Sequence, residues 1–174
     1  IDRNTLMVCS GLAKDYFTWH PEKLHLHLPV TYPRKHADGS TQCYTIRQDE
    51  AFGHVAREPI IQHLIPWFTA VEKAKQSLET NRDPKKIPRP EIPDSLLEKI
   101  HLYAAMLHLE VPRFIQRPLI EALTQQLYRT PLRNCHLTVI ERCIARFHSQ
   151  STQVLDPVLC LFFGTYAHRT PEDR

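Results

Sequence analysis

The chain has 174 residues, of which 42% are hydrophobic, and its formal net charge at pH 7 is +3. This length suits one domain with its own core, or a small domain with a helical extension, and the composition excludes a disordered chain. The small positive charge does not by itself indicate a nucleic-acid partner, and 4 glycines beside 14 prolines leave little material for phosphate-binding loops.

The sequence carries no signal for a membrane or for secretion. It has no signal-peptide pattern, and no apolar run reaches the roughly 18 residues that a spanning helix needs. The five cysteines are odd in number and widely scattered, which is typical of reduced thiols rather than of a disulfide framework. We therefore expect an intracellular protein without a membrane partner. Because the chain begins at Ile1 and not at methionine, we also expect a fragment or a processed form.

The N-terminal segments predict helices first and strands after them. Residues 5–17 carry apolar side chains at helical spacing on either side of Ser10-Gly11, which predicts one or two short helices. Leucine and histidine alternate strictly over 24–28, which predicts a strand with its leucines on one face. Residues 43–46 are a candidate second strand.

A helical pattern opens next and is interrupted by prolines. Asp49 is the expected N-cap of a helix over AFGHVAR, residues 51–57. Pro59 and Pro66 should then divide the following segment into short helical pieces, because proline lacks the N–H that continues a helix.

Residues 80–93 predict an extended, exposed linker, because TNRDPKKIPRPEIP holds four prolines and four basic residues. The basic residues Lys85, Lys86 and Arg89 could contact phosphate or form part of a nuclear-import signal. Such a run is more often a solvated linker than a binding site.

The chain is predicted to be helical from there to its end. Ser95 and Glu98 form a capping box before a helix that is apolar on most of its faces, and Pro112 should start the next helix. Thr138 with Glu141 is a second capping box, and Asp156-Pro157 is a third helix start.

Several side chains could carry chemistry, but none forms a complete motif. His25 and His27 would lie on one face of a strand and could supply half of a metal site, with His36, Cys43 or His54 as further ligands. Further along the chain, zinc ligands could come from Cys135, His136, Cys143 and His148. A solvent-facing strand and a buried cysteine are the simpler interpretations.

Catalytic motifs are absent from the sequence: there is no nucleophile elbow, Walker loop, dinucleotide fingerprint or zinc-protease helix. Cys9 with a distant histidine could only make an active site through an unseen fold. His101 and His108 share one helix face and are expected to line a polar seam rather than to bind a ligand. We predict no catalytic residue, no metal and no cofactor. A small enzyme, or a zinc-binding helical domain with a site built from scattered His and Cys, stays open as the alternative.

The order of these elements resembles the BTB/POZ family. The resemblance is carried by Ser10 to Phe17 at the end of a helix pair, and by Ala51, Phe52 and Val55 at the start of a later helix. The best match is 97–112, a helix that ends in a Leu-Glu-Val-Pro corner before another helix. The helices after Leu132 resemble the extension that follows such domains in fungal-type members.

The resemblance implies an α+β fold that is mostly helical, with a small sheet of two or three strands and a helical C-terminal half. It divides the chain into a BTB-like part at 1–79, the linker at 80–93, and a helical part at 94–174 that completes the core and adds the extension. It implies a non-catalytic interaction module: a scaffold in chromatin or transcription complexes, or an adaptor for a ubiquitin ligase. Such a module would work in the nucleus rather than the cytoplasm.

BTB-like modules associate through their early helices, and we expect part of 5–19 to be buried against another chain. That chain would be a second copy or a different subunit. Large apolar side chains on two short helices match the composition of interface cores. The predicted interaction residues are Leu6, Met7, Leu12, Tyr16, Phe17 and Trp19. The alternative is that these side chains fill the domain's own core.

Overall fold

Helices dominate the part of the chain that the computed structural model describes, which comprises residues 1–26, 30–31, 55–80 and 88–131 together with His136 and Ile140. The mostly helical character predicted from the sequence is confirmed. The elements are α1 (Arg3–Cys9), α2 (Gly11–Trp19), β1 (Val30–Thr31), β2 (Val55–Ala56), α3 (Arg57–Pro59), a π-helical segment (Ile60–Leu64), α4 (Ile65–Thr80), α5 (Leu96–His108) and α6 (Arg113–Arg129).

The predicted helix pair at the N-terminus is confirmed, and a single residue separates its members. Ser10 has extended backbone angles, so α1 ends there and α2 begins at Gly11. The Ser10 hydroxyl accepts a hydrogen bond from the Ala13 backbone N–H at 3.0 Å, which is the ordinary N-cap contact of a helix.

The α5–α6 pair is also confirmed, and α5 ends in a Schellman motif. The Glu110 N–H donates to the Leu107 carbonyl and the Val111 N–H donates to the Met106 carbonyl, at 3.0 and 2.9 Å. Glu110 has a φ of 52°, the left-handed conformation that this motif requires and that glycine usually supplies. Val111 and Met106 are both buried, which adds the apolar contact typical of the motif.

The turn between α1 and α2 is hydrogen-bonded directly to the turn between α5 and α6. The Ser10 hydroxyl donates to the Leu109 carbonyl at 2.6 Å, and the Gly11 N–H donates to the Glu110 carbonyl at 3.1 Å. Gly11 is required at this point, because a Cβ there would lie 2.9 Å from the Cβ of Glu110. We call this contact between Ser10-Gly11 and Leu109-Glu110 the corner lock.

The other end of the α5–α6 pair is held by a buried lysine. The Lys99 ammonium donates to the Asp94 carbonyl at 2.8 Å and to the Gln126 side-chain oxygen at 2.7 Å. The predicted cap of α5 is present as well, since the Ser95 hydroxyl accepts from the Glu98 N–H at 3.5 Å. The two helices are therefore tied together at both ends.

The prediction that Pro59 and Pro66 divide their segment is wrong. Residues 57–80 form one uninterrupted helical run in which Ile60–Leu64 is π-helical, and the Ile65 N–H donates to the Ile60 carbonyl. The wider π turn directly precedes Pro66, whose missing N–H would interrupt a regular ladder. Pro59 lies in the first turn of the run, where a proline leaves no hydrogen bond unmade.

The strand predictions fare less well. Leu24 to Leu26 lie in no helix or strand, so the predicted strand is wrong there, and the rest of 24–28 is outside the described ranges. Of the two leucines described there, Leu24 is exposed and Leu26 packs against the core, so these two do not share a buried face.

The only strand pairing among the described residues joins β1 and β2 in parallel, with Val30 opposite Val55 and Thr31 opposite Ala56. This two-residue ladder is too short to establish the predicted small sheet. The helix predicted over 51–57 is wrong for Val55 and Ala56, which are extended, and α3 begins at Arg57. Asp49, residues 51–54 and the candidate strand at 43–46 lie outside the described residues.

The predicted linker is in part a packed segment. Thr80 still belongs to α4, and 81–87 lie outside the description. Pro90 and Pro93 are buried, Ile92 packs against the core, and the Trp67 indole N–H donates to the Pro88 carbonyl at 2.9 Å. The prediction of an exposed chain is therefore wrong for 88–93, which we call the proline strap.

One hydrophobic core unites residues from both sides of the strap. Its members include Cys9 from α1, Trp67 from α4 and Tyr103 from α5. Ile140 is also fully buried in this core. The two predicted N-terminal ends of C-terminal helices, at Thr138 and at Asp156, lie outside the described residues. The division into three parts at 80 and 93 stays a prediction.

Candidate protein interaction surface

Large apolar side chains are exposed along the α1–α2 hairpin and just after it. Val8 is 74% exposed, Trp19 is 81% exposed and Leu24 is 78% exposed. Single exposed apolar residues are common on proteins, but tryptophan is among the residue types that are enriched at interfaces. We call Val8, Trp19 and Leu24 the hairpin surface.

Arg3 fixes the geometry at the open end of the hairpin. Its guanidinium donates to the Pro21 carbonyl at 2.7 Å and to the Phe17 carbonyl at 2.8 Å, and it lies 5.0 Å from the centre of the Phe17 ring. These contacts satisfy carbonyl groups at the C-terminus of α2 and hold Pro21 near the start of α1. Trp19 therefore lies between two residues, Phe17 and Pro21, whose carbonyl groups are both bound by Arg3.

The six predicted interaction residues divide into three groups. Phe17 is 1% exposed, so its ring fills the chain's own core, and we leave it out of the proposed surface. Trp19 stands almost fully in solvent. The remaining four, all on α1 and α2, are half-buried: Leu6, Met7, Leu12 and Tyr16.

Sequence reasoning missed Val8 and Leu24 as surface residues. Val8 follows the same helical spacing as its buried neighbours, and only the position of α1 against α2 and α4 shows which side faces outward. Leu24 was assigned to a strand face. No local signal distinguishes an exposed leucine from a buried one when the predicted strand does not form.

The predicted basic site can be followed at one residue only. Arg89 lies in the proline strap between Pro88 and the buried Pro90, and its side chain is exposed. Lys85 and Lys86 lie outside the described ranges, so a basic cluster stays a prediction.

Burial holds two titratable side chains of the core, Cys9 and His101, in neutral forms. Burial raises the pKa of the Cys9 thiol, so Cys9 is a poor nucleophile. Burial also lowers the pKa of His101 from 6.5 to about 4, so its imidazole is uncharged at neutral pH. The Ser10 hydroxyl already donates to Leu109 in the corner lock. None of these three groups is prepared for nucleophilic or acid–base chemistry.

The candidate metal ligands are not brought together in the described part of the chain. There, no group of three His, Cys, Asp or Glu side chains lies close enough to hold a metal ion. His25 is described but His27, His36, Cys43 and His54 are not, and the same holds for Cys135, Cys143 and His148 around His136. Both candidate metal sites therefore stay predictions.

Within the same ranges, no helix combines the length and the apolar character that crossing a bilayer requires. Comparisons of the chain with protein-family models, with curated proteins and with solved structures find no match.

Proposed function

We propose that the chain is a non-catalytic protein–protein interaction module of the BTB/POZ type, which binds a second copy of itself or a different subunit through the hairpin surface. The observation that carries the proposal is the exposure of Val8, Trp19 and Leu24 on a hairpin that is otherwise anchored in the core. Tryptophan is among the residues most enriched at binding hot spots.

The corner lock supports the proposal by making the hairpin rigid. Ser10 and Gly11 tie the hairpin to α5 through two hydrogen bonds, and Arg3 closes its other end. A surface held in place before binding loses less conformational entropy on association than a mobile one. Exposed apolar side chains on a rigid hairpin therefore favour a role in binding.

The finer features of the family form part of the same proposal. The β1–β2 pair would belong to a small sheet of two or three strands, and the residues after 132 would form the helical extension. The module would act in the nucleus, as a scaffold in transcription or chromatin complexes or as a ubiquitin-ligase adaptor. Lys85, Lys86 and Arg89 would then serve nuclear import rather than nucleic-acid binding.

Light scattering on the purified chain tests the self-association arm of this proposal. The double variant Val8→Ser/Trp19→Ser should dissociate a dimer that the wild-type chain forms, with a loss of at least about 2 kcal/mol of association free energy. The control is Ile61→Ser, which removes an exposed apolar side chain from the π-helical segment instead. A strictly monomeric wild-type chain that also retains no other protein on purification would contradict the proposal.

A further inference from the structure

The burial of two apolar residues just before α4 is the reverse of what an α-helix would give. Ile61 lies three positions before Leu64 and seven before Phe68, a spacing that places all three on one face of an α-helix. Leu64 and Phe68 are buried, but Ile61 is 43% exposed. Pro59 is buried, although in an α-helix it would lie about 140° round the axis from Leu64.

The π turn at Ile60–Leu64 accounts for both reversals. The Ile65 N–H donates to the Ile60 carbonyl five positions back, so this turn holds one residue more than an α turn. One residue corresponds to about 100° of rotation and about 1.5 Å of rise. Conversion to an α turn would therefore rotate the residues before it by about 100° relative to α4. Ile61 would turn toward the core, and Pro59 would turn away from it.

The observed register is the one that attaches β2 to the fold. Val55 and Ala56 directly precede the helical run, and both are buried. They pair with Val30 and Thr31 of β1, and β2 packs against α5. A rotation of the start of the run would withdraw these contacts. The two registers thus exchange the attachment of β2 for the burial of Ile61.

Pro66 favours the π register. In a continuous α-helix its ring would clash with the carbonyl of Gln62, four positions back, and its missing N–H would leave that carbonyl without a donor. The π turn lies at this point of the run. The Pro66 side chain is exposed, so it acts on the backbone and not by filling the core.

We propose that Ile60–Leu64 is a register switch, in which the π turn that holds β2 on the core converts to an α turn that buries Ile61 and releases β2. Pro66 keeps the switch on the π side. The released state is the minor one in the wild-type chain, since it gives up the contacts of β2 with β1 and α5. A two-state element of this kind lets a ligand or a neighbouring chain that prefers one register shift the other.

Thiol labelling measures the two registers separately. Ile61→Cys and Ala56→Cys are each made in the wild-type chain and in Pro66→Ala, and maleimide labelling at each position is followed by peptide mass spectrometry. Removing the proline should raise the share of the α register. We expect labelling at position 61 to slow at least about threefold and labelling at position 56 to quicken at least about tenfold.

Three controls isolate the register change. Ile65→Cys is 41% exposed at the wild-type residue but follows the π turn, so its labelling should not respond to Pro66→Ala. The native thiol of Cys9 is buried and reports global unfolding in the same sample. Deleting the exposed Gln62 from Pro66→Ala removes the extra residue of the turn and should restore both labelling rates.

Three results would overturn the proposal. The first is labelling at positions 56 and 61 that does not respond to Pro66→Ala. The second is faster labelling at position 56 that Cys9 matches, because the chain would then be unfolding. The third is a Gln62 deletion that leaves both rates as they are in Pro66→Ala, because the extra residue would then not set the register.

Discussion

The Ser10 hydroxyl makes two hydrogen bonds. One forms part of the corner lock, and the other caps α2. Replacing Ser10 with alanine removes the cap contact to Ala13 and leaves the buried Leu109 carbonyl without its donor. We expect Ser10→Ala to lower the free energy of unfolding by about 2 kcal/mol, measured by denaturant titration. The matched control is Thr18→Ala, because the Thr18 hydroxyl donates at the same 2.6 Å to the carbonyl of Lys14 but is exposed. A similar effect of both substitutions would contradict the special role of Ser10.

Gly11 and Glu110 are coupled by their close approach. In Gly11→Ala the new Cβ meets the Glu110 Cβ at 2.9 Å, so the corner must shift, at an expected cost of about 1 to 2 kcal/mol. Glu110→Gly removes that Cβ and relieves the positive φ, and it should stabilise the chain by up to about 1 kcal/mol. In the double variant the cost of the alanine should largely disappear, which a double-mutant cycle measures.

The control for this cycle is Glu110→Ala. It removes the carboxylate but keeps the Cβ and the left-handed backbone, so it should neither stabilise the chain nor rescue Gly11→Ala. Equal rescue by alanine and glycine at position 110 would show that the carboxylate alone, and not the backbone approach, sets the requirement for Gly11.

His101 should make the stability of the fold depend on pH. The folded chain holds this imidazole neutral down to a pKa of about 4, whereas the unfolded chain binds the proton near 6.5. Stability from this residue is therefore complete above 6.5 and is lost as pH falls toward 4, with about 2 kcal/mol gone by about pH 5.

The effect is measured by comparing the unfolding free energies of the wild type and of His101→Gln at pH 6.5 and at pH 4. The variant should show the shallower decline. His20→Gln, at an exposed histidine, should decline like the wild type. Parallel curves for the wild type and His101→Gln would contradict the assignment.

Local sequence patterns predict the residues whose contacts are with residues nearby in the sequence. Ser95 was recognised as a cap because its acceptor role involves Glu98, three positions away. The Ser10–Leu109 contact joins residues 99 positions apart, and nothing in either local sequence encodes it. Glu110 was equally hidden, because the left-handed position of a Schellman motif is usually marked by glycine.

At the scale of elements, the proline strap is held to α4 by Trp67. We expect Trp67→Phe to lower the free energy of unfolding by about 1 to 2 kcal/mol, because the Pro88 carbonyl loses its donor and the smaller ring leaves a gap. Trp19→Phe is the matched control and should have little effect, since its indole is exposed. The chain has two tryptophans, so the fluorescence of each single variant reports the environment of the tryptophan that remains.

The helices could be predicted where the apolar pattern is long, and the other elements could not. α5 is apolar on most faces and is buried on most faces, as its sequence indicates. The proline-based divisions failed because proline is tolerated in a first turn and beside a π turn. The linker prediction failed for 88–93 because prolines beside Ile92 can pack against a core as well as extend into solvent.

At the scale of the whole molecule, the corner lock joins the hairpin to the α5–α6 pair, and one core runs through both. The sequence predicts that this hairpin takes part in association, but one of its six predicted interaction residues, Phe17, is buried in the chain's own core. Apolar spacing identifies which residues are large and hydrophobic. The burial of Phe17 and the exposure of Val8 and Trp19 depend on how α1 and α2 dock, which no single helix pattern contains.

Protein binding by the hairpin surface can be measured by a quantitative pull-down from cells that express the tagged chain. Wild type and Val8→Ser/Trp19→Ser are compared by mass spectrometry that counts every retained protein, including untagged copies of the chain itself. We expect the wild type to retain a near-stoichiometric protein, and the recovery of that protein to fall at least about tenfold on the folded variant. Equal recovery on both, or no stoichiometric protein on the wild type, would contradict it.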